Sequence, residues 1–156
     1  IHDMRIPCLE NHFDLALNLF TSLGYFDRME DNFLVFHTIN HALKTGGVLV
    51  VDFFNSVKAL RELIQNEIQN IDGITFHISR KYEGDCIMKT IDFNDADGKK
   101  ESHIEKVQLF TFNHLKQYLE ATGFKIKHIF GDYSLQSFNE AHSERLIIIS
   151  EKTKNL

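Results

Sequence analysis

The chain is short of several things. It has one proline, Pro7, and two cysteines, Cys8 and Cys86, in 156 residues. Two thiols make no disulfide framework, so a reduced, cytoplasmic protein is the simplest expectation. No apolar run is long enough to span a bilayer, and the first residues lack a signal-peptide layout, so no membrane is expected. No stripe of Lys or Arg stands out against a net charge of −5, which gives no reason to expect nucleic acid. His37 and His41 stand four apart, a spacing that metal sites use. At about 100° per residue both point away from the apolar stripe centred on Ile39. The other histidines do not cluster with the cysteines, and no metal is expected. No G-x-G, internal repeat, low-complexity tract or linker occurs, and residue 1 is isoleucine rather than methionine.

What is present fits one globular domain. Hydrophobic residues make up 43% and charged residues 25%, close to soluble averages, and the length allows a sizeable core. Residues 13–20, FDLALNLF, are almost continuously apolar, which predicts a strand covered on both faces. Asp27 and Glu30 have capping-box spacing. Val35, Phe36, Ile39, Ala42 and Leu43 then lie on one helical stripe, ended by Gly46-Gly47. VLVVDFF, residues 48–54, reads as a second buried strand. Strand, helix and strand with short joints make a parallel crossover.

Residues 56–69 read as a second helix, with Val57, Leu60 and Ile64 inward. Beyond it the period changes. Ile74, Phe76 and Ile78 alternate with polar residues, as do Ile87, Ile91 and Phe93, and then Val107 and Leu109. Asp97-Gly98 sits at a hairpin tip. Residues 74–110 therefore predict a three-stranded antiparallel insert with one wet face. Thr111 can cap a helix carrying Leu115, Tyr118 and Leu119, which Gly123 ends. FKIKHIF and RLIIIS are the last two strands, the second inside the sheet.

Ligands of open α/β sheets sit beyond the carboxyl ends of parallel strands. That places Asn18, Thr21, Ser22, Tyr25, Asp52 and Asn55 where a ligand would be. Gly24 permits a tight turn or a close approach to a ligand. The same loop is equally readable as an ordinary strand-to-helix joint in which Tyr25 and Phe26 cover the core.

IHDMRIP, FDLALNLFTSLGYF and HALKTGGVLVVDFF, in that order, resemble the class I S-adenosylmethionine-dependent methyltransferases, and the small-molecule type with an antiparallel insert in particular. FGDYSLQSFNEAHSERLIIISEK fits the same group. The resemblance implies an α/β, partial Rossmann-like fold: a mixed sheet with strands equivalent to 4-5-7-6, plus the three-stranded insert. Residues 1–72 would be the C-terminal portion of the cofactor-binding domain, 73–110 the substrate-side insert, and 111–156 the return to that domain. It implies S-adenosyl-L-methionine as cofactor. Asp3, with Met4 beside it, matches the acidic residue that bonds the adenine amino group. Asn18, Leu19 and Phe20 match the segment beside the methionine part and the sulfonium. Tyr25 lies where the methyl acceptor approaches. Where the acceptor must lose a proton, Asp132, Tyr133 and Tyr25 are the candidate bases, although Asp132 equally reads as a turn residue after Gly131. His103 could face the acceptor or solvent, and Arg145 an acidic substrate or a surface salt bridge. Phe20, Phe53 and Phe138 are placed near a pocket.

Thr45 stands where the family has proline in its LKPGG turn. The family's Gly-rich loop, and the acidic residue that holds the ribose hydroxyls, would lie upstream of Asp3. The expectation is therefore a portion of a longer enzyme that binds the cofactor poorly alone and acts on a small-molecule acceptor. Strand 13–20 would be central in such an enzyme but is an apolar edge in these 156 residues; were they the entire molecule, that edge would pair with a second copy or another segment. The alternatives are a non-enzymatic α/β module assembling through that edge, and another nucleotide-binding doubly wound domain such as a reductase half.

Overall fold

The computed structural model of the protein describes residues 2–154. Two four-stranded sheets carry the architecture. The first has the order β1-β2-β8-β7, built from β1 (Phe13–Asn18), β2 (Leu43–Phe54), β7 (Phe124–Phe130) and β8 (Arg145–Lys152). β1 and β2 are parallel, while β8 runs antiparallel to both β2 and β7. Helix α1 (Met29–Ala42) joins the parallel pair, and α2 (Ser56–Arg61) and α3 (Phe112–Ala121) complete the helices.

Alternation along the central strands sorts their side chains. Leu49, Val51 and Phe53 of β2 point to one face with Leu146 and Ile148 of β8, and all are buried. Against them pack Val35 and Phe36 of α1 and Leu115 and Leu119 of α3, making one core. The α3 start forms as the sequence predicts. The Thr111 hydroxyl accepts from His114 N, and His114 Nδ1 accepts from Thr111 N. At the far end of the sheet, Lys152 is buried with its ammonium donating to Asn11 Oδ1, Asn40 O and Leu43 O at 2.9, 2.7 and 2.6 Å. Burial pushes its pKa down, against a smaller pull from Glu10.

Four expectations change. β1 ends at Asn18 and is not covered on both faces: Leu15 and Leu17 are 51% and 57% exposed on the side away from the core. Asp27 does not cap α1; the cap is Arg28, without a side-chain bond, because Asp27 accepts from Lys106 instead. That helix stops at Ala42, and Gly46-Gly47 lie within β2, where the pairing with β1 shifts between Phe13 and Leu15. Finally, α2 has only six residues, and the antiparallel unit has four strands rather than three.

Those strands are β3 (Asn66–Ile71), β4 (Ile74–Glu83), β5 (Cys86–Asn94) and β6 (Lys100–Gln108), paired in sequence order. The unit thus begins at residue 66, not 73 or 74. The 3–4 spacing of Val57, Leu60 and Ile64 suits a helix, but Glu67 and Gln69 pair across to Ile78 and Phe76. Cross-strand pairing overrides the local period. The Asp95–Lys99 turn forms as expected, with Asp95 Oδ1 accepting from Asp97 N and Lys99 N.

Candidate active site

Four chain segments converge at one edge of the first sheet. Asn18 ends β1 and Phe54 ends β2 in parallel register. Antiparallel β8 begins there with Arg145, paired to Phe54. β7 ends there at Phe130 and leads into Gly131, Asp132 and Tyr133.

Asp52 organises this edge. It is 1% exposed, and burial of a carboxylate requires partners. Its Oδ1 accepts from Arg145 Nε at 2.8 Å, with Arg145 Nη2 at 2.7 Å. Its Oδ2 accepts from Phe20 N at 2.9 Å and from the Tyr133 hydroxyl at 3.0 Å. Thr21 N donates to the Asp52 carbonyl at 3.1 Å. These bonds hold two consecutive left-handed residues, Phe20 (φ 55°) and Thr21 (φ 60°). Such conformations cost about 1–3 kcal/mol each and persist only where the surroundings impose them. Their outcome is a sharp turn directly after Asn18.

Asn18 is buried at 8% exposure, and its Oδ1 has no hydrogen-bond partner among the described residues. A buried amide oxygen without a donor is costly. Here it stands at the carboxyl end of a parallel strand, where a ligand donor can satisfy it.

Gly24 turns the loop back. Its φ is +94°, and a Cβ there would stand 2.9 Å from Gln108 O and 3.1 Å from Val107 Cγ1. Gly24 O accepts from Gln108 N at 2.8 Å, and Gly24 N donates to Asn32 Oδ1 at 3.0 Å. The Asn32 amide donates to Gln108 Oε1 at 2.8 Å, and Gln108 Nε2 donates to Asp27 O at 2.8 Å. So a buried amide pair clamps the loop onto β6 and ties the two sheets together. Of the two readings of Gly24, the tight turn is what forms, and the close approach seen is to backbone of this chain rather than to a ligand.

The segment Asp3–Arg5 lies along α1, between Asp31 in its first turn and Thr38 in its second half. Thr38 Oγ1 donates to Met4 O, Arg5 pairs with Asp31, and its guanidinium sits 4.5 Å from the centroid of the Phe26 ring. Arg5 also grips both oxygens of Asp3, which holds that carboxyl down at about 2. Asp132 is occupied in its own turn, its Oδ1 accepting from Ser134 N and Gln136 N. Tyr133 has its pKa raised by burial and then by its bond to Asp52, partly offset by Arg145. Burial likewise raises Tyr25, followed by the charge of Glu105. In both phenols the shift disfavours the charged phenolate.

Phe53 is sealed in the core, Phe138 packs against Phe112, and Phe20 is 77% exposed. His103 stacks on Phe93 and is otherwise solvent-exposed. Arg145 forms its salt bridge with Asp52, a buried carboxylate rather than a surface one. No group of three or more His, Cys, Asp or Glu fit to hold a metal occurs among the described residues.

A cavity of about 340 Å³ opens beside the end of β2, between α2 and the inner face of the second sheet. Phe54, Leu63, Ile87 and Val107 make it apolar, and Arg80, Lys89, Glu67 and Glu105 make it charged. Sequence reasoning missed these four. The signal was there: Arg80 follows Ile78 in the inward register, and Lys89 falls between inward Ile87 and Ile91. A larger groove of about 930 Å³ lies at the other end of that sheet, around the 72–73 and 95–96 turns, away from the strand ends.

No protein-family model and no curated protein sequence matches the chain. Solved structures do. An S-adenosylmethionine-dependent methyltransferase from Clostridium acetobutylicum matches with TM-score 0.84 and 18% identity, over 98% of this chain and 63% of that one. The CcbJ methyltransferase from Streptomyces caelestis matches with TM-score 0.83 and 12% identity, over 99% and 63%. A sugar N-methyltransferase from Streptoalloteichus sp. matches with TM-score 0.73 and 18% identity, over 98% and 61%. The chain thus spans less than two thirds of the length of these structures. Its fold is that of the class I S-adenosylmethionine-dependent methyltransferases.

Proposed function

We propose that the chain takes part in S-adenosylmethionine-dependent methyl transfer to a small-molecule acceptor. One observation carries the reading: the unsatisfied, buried Asn18 oxygen at the carboxyl edge of a methyltransferase fold. The order β1-β2-β8-β7 is then read as strands 4-5-7-6, with β3–β6 as the acceptor-side insert.

When bound, S-adenosylmethionine supplies an electrophilic methyl carbon on a positively charged sulfur. The residues present suit it. Asn18 Oδ1 would accept a hydrogen bond from the amino group of the methionine part, with Leu19 and Phe20 alongside. Asp3 would accept from the adenine amino group, exchanging one of its Arg5 bonds for it, and Met4 would line the base. Asp52 and Arg145 fix the turn that aims these groups. Tyr25 donates from the acceptor side. Tyr133 and Asp132 hold the far wall in place and, where the acceptor must lose a proton, stand with Tyr25 as the candidate bases. In this scheme the chain contributes mainly alignment, which is worth roughly 7–11 kcal/mol of barrier.

Titration calorimetry of the full-length protein with S-adenosylhomocysteine tests this. Saturable binding that Asn18→Leu weakens supports it, and absence of heat refutes it. The exposed Leu15 and Leu17 favour a second reading, self-association through β1. Sedimentation of a Leu15→Lys, Leu17→Lys variant reads that directly: an assembled wild type and a monomeric variant support it, and a monomeric wild type refutes it.

A further inference from the structure

Arg80 on β4 and Lys89 on β5 are direct cross-strand partners. Like charges in that position destabilise a sheet. Each cation is offset only on its outer flank. Arg80 Nη2 donates to Glu67 Oε2 on β3 at 2.9 Å, and Lys89 Nζ to Glu105 Oε2 on β6 at 3.1 Å. Glu105 stands directly opposite Lys89, while Glu67, opposite Ile78, reaches Arg80 diagonally, so across the four strands the charges run acid, cation, cation, acid. Nothing negative separates the two central charges. Among the described residues, Glu105 is the one acceptor for the three N–H groups of Lys89, and Arg80 uses a second of its five N–H groups on the Ile64 carbonyl at 3.3 Å.

These groups are not ordinary surface charges. The Arg80 and Lys89 side chains are mostly covered, and both line the cavity beside β2. Facing them, the α2 side of the wall carries Ala59, Leu63 and the Glu62 carboxylate, with Phe54 at the end of β2; Glu62 is itself held by Lys58 and Arg61. Partly buried charges are screened less than exposed ones. A volume of about 340 Å³ falls at the small end of ligand sites. Phe54, the last residue of β2 at the carboxyl edge that carries Asn18 and Asp52, lines the cavity as well.

We propose that this cavity is the acceptor site and that Arg80 and Lys89 together bind an anionic group of the acceptor, a carboxylate or a phosphate. The inference rests on the methyl-transfer reading above. The anion fills the gap between the two cations, relieves their repulsion, and takes N–H donors that the protein leaves open. The carbon skeleton lies on the Phe54 side. Glu67 and Glu105 hold the cations in place while the site is empty.

The test uses inorganic phosphate and succinate as probes on the full-length protein, at constant ionic strength against chloride. The expected result is a saturable rise in Tm with at least one probe. Arg80→Met and Lys89→Met each weaken its apparent affinity about tenfold or more. Arg80→Lys, which keeps the charge and folds where Met does not, retains part of the effect. A response to phosphate alone assigns a phosphorylated acceptor, and one to succinate alone a carboxylic acid. No rise beyond chloride, or a rise unchanged in both Met variants, overturns the proposal. S-adenosylhomocysteine affinity is measured on the same samples. It is expected to be unchanged in the variants, and its absence from wild type counts against the methyl-transfer reading, independently of the anion result.

Discussion

Gly24→Ala is the most informative single perturbation. At φ +94° an alanine bears a backbone cost of about 1–3 kcal/mol. The new Cβ would also lie 2.9 Å from Gln108 O, a backbone atom fixed in β6. To make room, the Gln108 N to Gly24 O bond must stretch or break, for about 1 kcal/mol more. The sum is about 2–4 kcal/mol, a large share of the ~5–15 kcal/mol typical of a folded domain. Gly98→Ala is the matched control. Its φ is +77°, but nothing lies within 4 Å of the added Cβ, so only the same conformational cost of about 1–3 kcal/mol applies, without the clash or the lost bond. Urea unfolding measures both. With a slope of about 1–3 kcal/mol per molar, Gly24→Ala should lower the midpoint by about a molar or more, and well beyond Gly98→Ala. Equal losses in the two variants would refute the argument that close approach to β6 holds the loop.

Asp52→Ala leaves the mostly covered Arg145 guanidinium uncompensated and strips the acceptor from Phe20 N; a loss of about 3–5 kcal/mol in urea unfolding is expected, against about 1 kcal/mol or less for Tyr133→Phe. Lys152→Met leaves the Asn40 and Leu43 carbonyls unpaired and should cost about 3 kcal/mol by the same assay. For Asp3, the folded carboxyl is depressed from 3.8 to about 2. The Arg5 contact therefore stabilises the fold above pH ~4 and its contribution fades as pH falls toward 2. NMR titration should find that midpoint near 2, returning toward 3.8 in Arg5→Met.

The parallel pair, the α3 cap and the last two strands were legible because short-range signals and tertiary packing agree there. Val48 to Phe54 is apolar but for Asp52 and sits at the sheet centre; Thr111 and Gly123 mark the ends of α3. Residues 62–71 were not legible, because Leu60 and Ile64 carry a helical period that pairing with β4 overrides. At the site, Asn18 and Asp52 followed from the strand-end rule. That Asp52 would be the hub did not, since its partners Tyr133 and Arg145 lie 81 and 93 residues away in sequence. Nor did the Arg80 and Lys89 pairing, which depends on hairpin register.

The central claim is that the Asn18 edge receives the cofactor. Amide chemical-shift mapping of the full-length protein with S-adenosylhomocysteine tests it most directly. The account predicts the largest perturbations at Asn18 through Tyr25 and at Asp3 through Arg5, with the Asn18 side-chain amide among them. Shifts confined to the distal turns at 72–73 and 95–99, or no shifts at all, would contradict it.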